Sequence, residues 1–257
     1  MADESNRGRF VWYELLTKDP EAAKAFYTEL LGWTTENFEG GMGPYTMWMR
    51  AESAPVGGVM KLPDEAVAQG APSHWLGYVH TPDTDATVAR TKELGGKVFA
   101  GPMDIPTVGR IAVLGDPQGA MFAVHTPERE RPAAEPELGD VSWHELATTD
   151  YEAGFSFYSD LFGWQKDQAM DMGPAGIYQM YGRPGQMLGG MYNKAPEQPG
   201  PYWLYYFLVD DVNVTTEKAK ALGAQVVVPP LEVPGGGWIA VYSDPQGAAF
   251  AVHHKKK

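Results

Sequence analysis

Three kinds of chemically competent side chain recur at matching places in the two halves of this sequence. They are a carboxylate, a phenol and an imidazole: Glu14 and Glu145, Tyr78 and Tyr206, and His125 and His253. If the three kinds converged in an apolar cavity, they could act as general base, hydrogen-bond donor and proton relay. Burial raises the pKa of a carboxyl group, and histidine titrates near neutral pH. These six residues are the candidate catalytic set. The alternative is a structural layer, because buried polar groups are generally hydrogen-bonded to one another.

The matching places belong to an internal repeat that covers most of the chain. The segment FVWYELLTKDPEAAKAFYTELLGW at 10–33 reappears as VSWHELATTDYEAGFSFYSDLFGW at 141–164. Later, IAVLGDPQGAMFAVH at 111–125 reappears as IAVYSDPQGAAFAVH at 239–253. A Pro- and Glu-rich stretch without apolar periodicity separates the copies, as expected of a linker. The repeat predicts one domain at 9–127, a linker at 128–139 and a second domain at 140–254.

Each copy predicts the same order of elements. An alternating strand from Phe10 ends at Asp19-Pro20, where Asp can cap a helix and Pro can begin it, and the helix runs to Leu31 before Gly32. Strands follow near 45–49 and 56–60. The pattern then starts again with a strand at 75–80, a helix at 84–94 and three strands, the last two joined by a D-P-Q-G turn. Each half therefore contains two βαβββ units.

Composition limits the partners. The net charge of −13 opposes binding to a phosphate backbone, so nucleic acid is not expected. No apolar run approaches the roughly 18 residues that span a membrane, and the start lacks the order of a signal peptide, so we expect a cytoplasmic protein without a membrane partner. Because there are no cysteines, any metal would need His, Asp or Glu. A monomer or a homodimer is expected.

The motifs W-x-E-L-x(3)-D, F-Y, G-W and D-P-Q-G, in this order and present twice, resemble the vicinal oxygen chelate superfamily of glyoxalases, bleomycin-resistance proteins and dioxygenases. Within it, the two-domain glyoxalase-like proteins of the hydroxylase type are the most similar. The resemblance implies an α+β fold of two tandem domains. In each, paired βαβββ units would form an open, cup-shaped sheet that holds a divalent metal and a small ligand.

The metal-ligand positions that the resemblance implies are occupied by residues that cannot bind a metal. Three positions fall on Trp12 and Trp143, on Leu76 and Leu204, and on Ala123 and Ala251, and the fourth falls near Gly57-Gly58 and Gly189-Gly190. Transition metals need three or four N or O donors, so no cofactor is expected. The alternative is a displaced divalent metal bound by Glu14 with His125, or by Glu145 with His253.

Strand alternation places the candidate catalytic set on the cup side, two residues beyond the lost ligand positions. An aromatic wall is expected beside it, formed by Trp12, Trp143, Trp48, Tyr181 and Trp238. Met60 and Tyr192 are expected to complete the lining. Such a wall suits a planar or apolar ligand, although core packing is the alternative for these residues. The favoured hypothesis is a metal-free protein that binds a small aromatic or apolar molecule. A lyase, isomerase or hydroxylase/dioxygenase-type enzyme that uses the candidate catalytic set is the alternative, and a scaffold for protein contacts is a third.

Overall fold

The computed structural model describes residues 6–40, 45–51, 54–130, 134–234 and 236–254. In the first half, these ranges contain β1 (Phe10–Thr17), α1 (Pro20–Leu31), β2 (Thr34–Phe38), β3 (Tyr45–Ala51), β4 (Ala54–Lys61), α2 (Asp64–Ala68), β5 (His74–His80), α3 (Thr84–Glu93), β6 (Lys97–Ile105), β7 (Gly109–Gly115) and β8 (Met121–Pro127).

The second half repeats this order, with a short 3-10 helix at Gly173–Ala175 and no counterpart of α2 among its described residues. Its elements are β9 (Val141–Thr148), α4 (Tyr151–Phe162), β10 (Gln165–Asp171), β11 (Ile177–Arg183), β12 (Gln186–Asn193), β13 (Tyr202–Leu208), α5 (Val212–Ala221), β14 (Gln225–Glu232), β15 (Trp238–Ser243) and β16 (Ala249–His254).

The strands form two open, mixed sheets of eight strands, in the orders β2-β3-β4-β1-β5-β8-β7-β6 and β10-β11-β12-β9-β13-β16-β15-β14. In each half, β1 to β4 or β9 to β12 form one βαβββ unit, and the following four strands form the other. The predicted α+β class and the paired βαβββ units are confirmed. Helix α2 lies in the segment that joins the two βαβββ units of the first half, and the sequence did not predict it.

The helix boundaries follow the predicted capping signals. The Asp19 carboxylate accepts a hydrogen bond from the Ala22 N–H (3.0 Å), Pro20 begins α1, and Gly32 ends it in the left-handed conformation with φ 72°. Asp150 and Gly163 play the same parts around α4.

Packing divides the chain into two compact units, and each draws residues from both copies of the repeat. Unit I comprises the described residues within 1–11, 77–134 and 144–203. Unit II comprises those within 12–76, 135–143 and 204–257. The predicted domains at 9–127 and 140–254 correspond to the two copies of the sequence repeat. Units I and II instead group the residues that contact one another in the folded chain.

The recurring motif residues meet in a buried hydrogen-bonded chain inside each unit. In unit II, the Trp75 indole donates to the Tyr27 hydroxyl (3.0 Å), which donates to the Asp244 carboxylate (3.0 Å). In unit I, Trp203, Tyr158 and Asp116 form the same chain, with both distances 3.1 Å. The F-Y tyrosine of one copy thus reaches the D-P-Q-G aspartate of the other.

His144 is a buried packing residue. Its ring stacks on Phe10 with the centroids 3.9 Å apart, and its Nδ1–H donates to the carbonyl of Leu188 (2.7 Å). Burial lowers the pKa of His144 to about 4. The imidazole is therefore neutral in the folded protein at pH 7.

We expect His144 to make the protein sensitive to acid. Its pKa is about 4 when folded and near 6.5 in an unfolded chain, so between these pH values the unfolded chain binds the extra proton. The free energy of unfolding should therefore fall by up to ~3 kcal/mol as the pH drops from 7 to 4. Urea unfolding of the parent and of His144→Phe measures this. The variant should be less stable at pH 7 but have a shallower pH slope, and equal slopes would contradict the assignment.

Candidate active site

The first candidate site lies in unit II, where β1 and β4 run parallel and Glu14 pairs with Gly58. The Trp12 indole N–H donates to the Tyr45 hydroxyl at 2.8 Å, and Tyr45 is hydrogen-bonded to Glu14. Glu14 is only 7% exposed. Burial first, and then the charge of Glu14, raise the pKa of Tyr45 well above its usual value, so the phenol remains a hydrogen-bond donor at neutral pH.

The second candidate site lies in unit I and repeats this arrangement. Glu145 pairs with Gly190 across β9 and β12, and the Tyr178 hydroxyl donates to the Glu145 carboxylate at 2.9 Å. We call Glu14 with Tyr45, and Glu145 with Tyr178, the two Glu–Tyr pairs. Since the pair occurs in both copies of the repeat, it is a shared feature of the two sites.

A glycine makes room for the tyrosine ring in each pair. A Cβ atom at Gly58 would lie 2.0 Å from the Tyr45 hydroxyl, and one at Gly190 would lie 2.1 Å from the Tyr178 ring. Both distances are far below van der Waals contact, so any side chain there would displace the phenol. The sequence alone indicates only that these glycines replace metal ligands, and the structure gives a steric reason for them.

Unit I adds two further phenols and an amide beside Glu145. The rings of Tyr178 and Tyr192 stack with their centroids 6.0 Å apart, and the Gln198 amide donates to the Tyr202 hydroxyl at 3.2 Å. Burial, and then the Glu145 charge, raise the pKa values of both Tyr192 and Tyr202. The contact between these two phenols also raises the pKa of Tyr192 and lowers that of Tyr202.

The Glu–Tyr pair of unit II lies on the sheet face that points away from the helices. Thr17 of β1 and Ser73, which directly precedes β5, are in hydrogen-bond contact (3.4 Å), so their side chains lie on the same side of the sheet. Trp75 of β5, two residues after Ser73, reaches Tyr27 of α1 on that side. Residues 12, 14 and 16 alternate with Thr17 and lie on the opposite face. We call that side the open face.

The other members of the candidate catalytic set are placed as follows. Tyr78 and Tyr206 are buried, at 6% and 3% exposure. The His125 Nε2 lies 3.2 Å from the Val108 carbonyl, and the His253 Nδ1 lies 3.2 Å from the Ser142 hydroxyl. Tyr78 and His125 belong to unit I, whereas Glu14 belongs to unit II. Their approach to Glu14, like that of Tyr206 and His253 to Glu145, stays a prediction.

The aromatic wall divides into core and accessible residues. Trp48 and Tyr181 are fully buried, and they donate to the carbonyls of Gly58 (2.9 Å) and His144 (3.3 Å). Half-buried or more exposed positions are occupied by Trp12, Trp143, Met60, Tyr192 and Trp238.

Sequence reasoning missed both tyrosines of the Glu–Tyr pairs, as well as Gln198 and Tyr202. A signal for the first two was present: β3 begins Tyr-Thr-Met-Trp and β11 contains Tyr-Gln-Met-Tyr, so a tyrosine occurs at matching places in the repeat. Neither Gln198 nor Tyr202 has a counterpart of the same type in the first half, so the repeat could not reveal them.

Comparison with known proteins assigns the family. The family model described as Glyoxalase/Bleomycin resistance protein/Dioxygenase superfamily matches residues 9–124 and 141–252. The chain belongs to this superfamily. The chain is similar to "Putative glyoxylase CFP32" of Mycobacterium tuberculosis, 34% identical over 97% of this chain and 95% of that protein. The anthracycline biosynthesis protein DauV of Streptomyces sp. strain C5 is 31% identical, over 95% and 92% of the two chains.

Solved structures of this superfamily share the fold. A Mn(II)-bound glyoxalase from Novosphingobium aromaticivorans aligns with a TM-score of 0.63 at 17% identity, over 98% of this chain and 83% of that one. A variant of homoprotocatechuate 2,3-dioxygenase from B. fuscum aligns with a TM-score of 0.69 at 16% identity, over 100% and 74%. Among the described residues, no helix is long and apolar enough to cross a membrane.

The residues at the metal positions of the superfamily do not fit a metal in this chain. The Trp12 indole is already a donor to Tyr45, Leu76 and Ala123 are buried apolar side chains, and a donor at Gly58 would collide with Tyr45. In the second half, Leu204 and Ala251 are likewise buried and apolar, with Trp143 and Gly190 at the other two positions. Within the described ranges, no group of three or more His, Asp or Glu side chains could hold a metal ion.

Proposed function

We propose that this protein binds small aromatic molecules that carry a hydroxyl group, one at each Glu–Tyr pair, without a divalent metal. The observation that carries the proposal is the Glu–Tyr pair, which occurs in both copies of the repeat. In each copy the tyrosine ring fills the space that a side chain at the paired glycine would need. An ionised carboxylate has about four lone-pair sites, so it can accept a hydrogen bond from a ligand hydroxyl as well as one from the tyrosine.

The rings around each carboxylate favour an aromatic ligand. Trp12 and Tyr45 flank Glu14, and Tyr178 and Tyr192 present stacked rings beside Glu145. Flat side chains of this kind bury large apolar areas and prefer offset or edge-on contacts with another ring. The relative named for anthracycline biosynthesis supports a polycyclic aromatic ligand for this chain as well.

The proposal is tested by calorimetric titration with 2-naphthol and, as a ligand without the donor, 2-methoxynaphthalene. The parent should bind two molecules of 2-naphthol per chain. Glu14→Gln and Glu145→Gln should each weaken one site by ~10- to 100-fold, because a hydrogen bond to a charged group is worth about 1.5–3 kcal/mol. Matched controls are Glu36→Gln and Glu197→Gln, which are exposed and should leave both sites unchanged.

Two results would contradict the proposal. If 2-methoxynaphthalene bound as tightly as 2-naphthol, or if neither glutamine variant weakened binding, the carboxylates would not recognise the ligand. If EDTA abolished binding and Mn²⁺ restored it, the metal-free part would be wrong.

The burial of Glu14 favours one second candidate, an enzyme in which the glutamate removes a proton from the bound molecule. A base at 7% exposure beside a phenol that stays protonated suits a lyase or an isomerase. In that case Glu14→Gln or Glu145→Gln should lower turnover of an identified substrate by ~10²-fold or more, and parent-like turnover would leave binding as the function.

A further inference from the structure

The two sites differ in the polar side chain that begins the strand next to the glutamate's strand, β5 beside β1 and β13 beside β9. The repeat aligns Trp75 with Trp203, so His74 in unit II matches Tyr202 in unit I. Likewise Met60 matches Tyr192, since they follow the paired glycines Gly58 and Gly190 by two residues. The two sites therefore differ in the polar groups at these two positions.

His74 offers a hydrogen-bond acceptor on the open face of unit II. Its Nδ1 lies 2.9 Å from the Pro72 carbonyl, and a carbonyl only accepts, so Nδ1 bears the proton. Burial lowers the pKa of His74 and keeps the ring neutral at pH 7. Its Nε2 then has a lone pair, and this buried atom has no hydrogen-bond partner among the residues that the structure describes. Because Ser73 shares the helix-packed face with Thr17, His74 points to the open face with Glu14.

Tyr202 offers a donor at the corresponding place in unit I. The Gln198 Oε1 accepts from the Ala195 N–H at 2.9 Å, which turns the amide nitrogen toward the Tyr202 hydroxyl at 3.2 Å. The Gln198 N–H occupies a lone pair of the Tyr202 oxygen, so Tyr202 keeps its own proton as a donor.

We propose that the two sites select opposite second groups on an aromatic hydroxyl ligand. Unit I takes a hydroxyaryl ketone, whose hydroxyl binds Glu145 and whose carbonyl oxygen accepts from Tyr202. Unit II takes an aromatic molecule with a second donor, such as a diol, whose first hydroxyl binds Glu14 and whose second donates to the His74 Nε2. This inference rests on the proposed function and divides its ligands between the two sites.

The test uses two probes that differ only in the second group, 6-hydroxy-2-acetylnaphthalene and 2,6-dihydroxynaphthalene. Glu14→Gln leaves the unit I site, which should bind the ketone ~10-fold more tightly than the diol. Glu145→Gln leaves the unit II site, which should prefer the diol by a similar factor, as expected for one net hydrogen bond. Adding Tyr202→His to the first variant, or His74→Tyr to the second, should reverse each preference.

The result that overturns the inference is the same order of affinity for the two probes at both sites, or a preference that survives the exchange of residues 74 and 202. Tyr202→Phe provides a milder variant if the exchange prevents folding: it should abolish the ketone preference at the unit I site. Loss of 2-naphthol binding in the parent would instead count against the proposed function, so the two failures are distinguishable.

Discussion

Replacing Asp116 by alanine is expected to lower the free energy of unfolding by about 3–5 kcal/mol, as for breaking a buried charged network. The Asp116 side chain is 1% exposed and accepts from the Tyr158 hydroxyl (3.1 Å) and from the backbone N–H groups of Gln118, Gly119 and Ala120 at 2.7–2.9 Å. Burial raises the pKa of Asp116, and the hydrogen bonds it accepts lower that pKa. Alanine would leave the Tyr158 hydroxyl and the N–H groups of Gln118 and Ala120 without this acceptor inside unit I.

Thermal and urea unfolding measure the effect, which corresponds to a fall in Tm of roughly 10 °C for a chain of this size. Tyr158→Phe removes two hydrogen bonds, the one it donates to Asp116 and the one it accepts from Trp203, and should cost about 2 kcal/mol. Asp210→Ala, at an exposed position, is the matched control and should stay within about 0.5 kcal/mol of the parent. A loss for Asp116→Ala as small as that of the control would show that the turn, and not the carboxylate, holds the hairpin. Asp244→Ala should give the same large loss through unit II, since Asp244 accepts from Tyr27 at 3.0 Å.

Gly189→Ala is expected to be the other severe substitution. A Cβ there would lie 1.7 Å from the carbonyl oxygen of His144, which belongs to the neighbouring strand β9. Because a paired backbone cannot move aside as a side chain can, we expect a loss of at least about 3 kcal/mol, at the upper end of overpacking costs, or failure to fold.

Gly190→Ala is expected to change ligand affinity at the unit I site with a smaller loss of stability than Gly189→Ala. Its Cβ would meet the Tyr178 ring at 2.1 Å, and a ring can swing away, so the loss of stability should be smaller, about 1–3 kcal/mol. The displaced phenol would no longer donate to Glu145, so affinity for 2-naphthol at the unit I site should change while the unit II site keeps its own. Gly200→Ala is the control, because nothing lies within 4 Å of its Cβ position. A Gly190→Ala protein with unchanged ligand affinity would mean that the Tyr178 contact does not tune the site.

Much of the fold follows from local sequence signals. Asp19-Pro20 and Gly32 specify both ends of α1, and the twofold alternation of strand residues places Trp12 and Glu14 on one face. The site was harder to foresee, because Tyr45 and Tyr178 reach the glutamates from strands that are neighbours only after the sheet forms. Likewise, the sequence alone shows Gly58 and Gly190 as missing metal ligands. Only the folded structure shows that a tyrosine ring occupies the space beside each glycine.

The composition of the compact units was also beyond local reasoning. The repeat suggests that each copy packs by itself, but Tyr27 pairs with Asp244 and Tyr158 with Asp116, so each buried chain joins residues from both copies. Nothing in the F-Y or D-P-Q-G motif indicates which copy of the repeat contains its hydrogen-bond partner. Two equivalent partners exist for each motif residue, and periodicity cannot distinguish between them.

This exchange of partners sets the order in which the protein can form during synthesis. Unit II combines residues within 12–76 with residues within 204–257, so its early strands leave the ribosome about 130 residues before the strands that complete their core. At about 5–20 residues per second, this interval lasts roughly ten seconds. Throughout it, the apolar side chains of β1, β3 and β4 lack their final neighbours, and a nascent chain in that condition is a natural client for chaperones that shield unpaired strands.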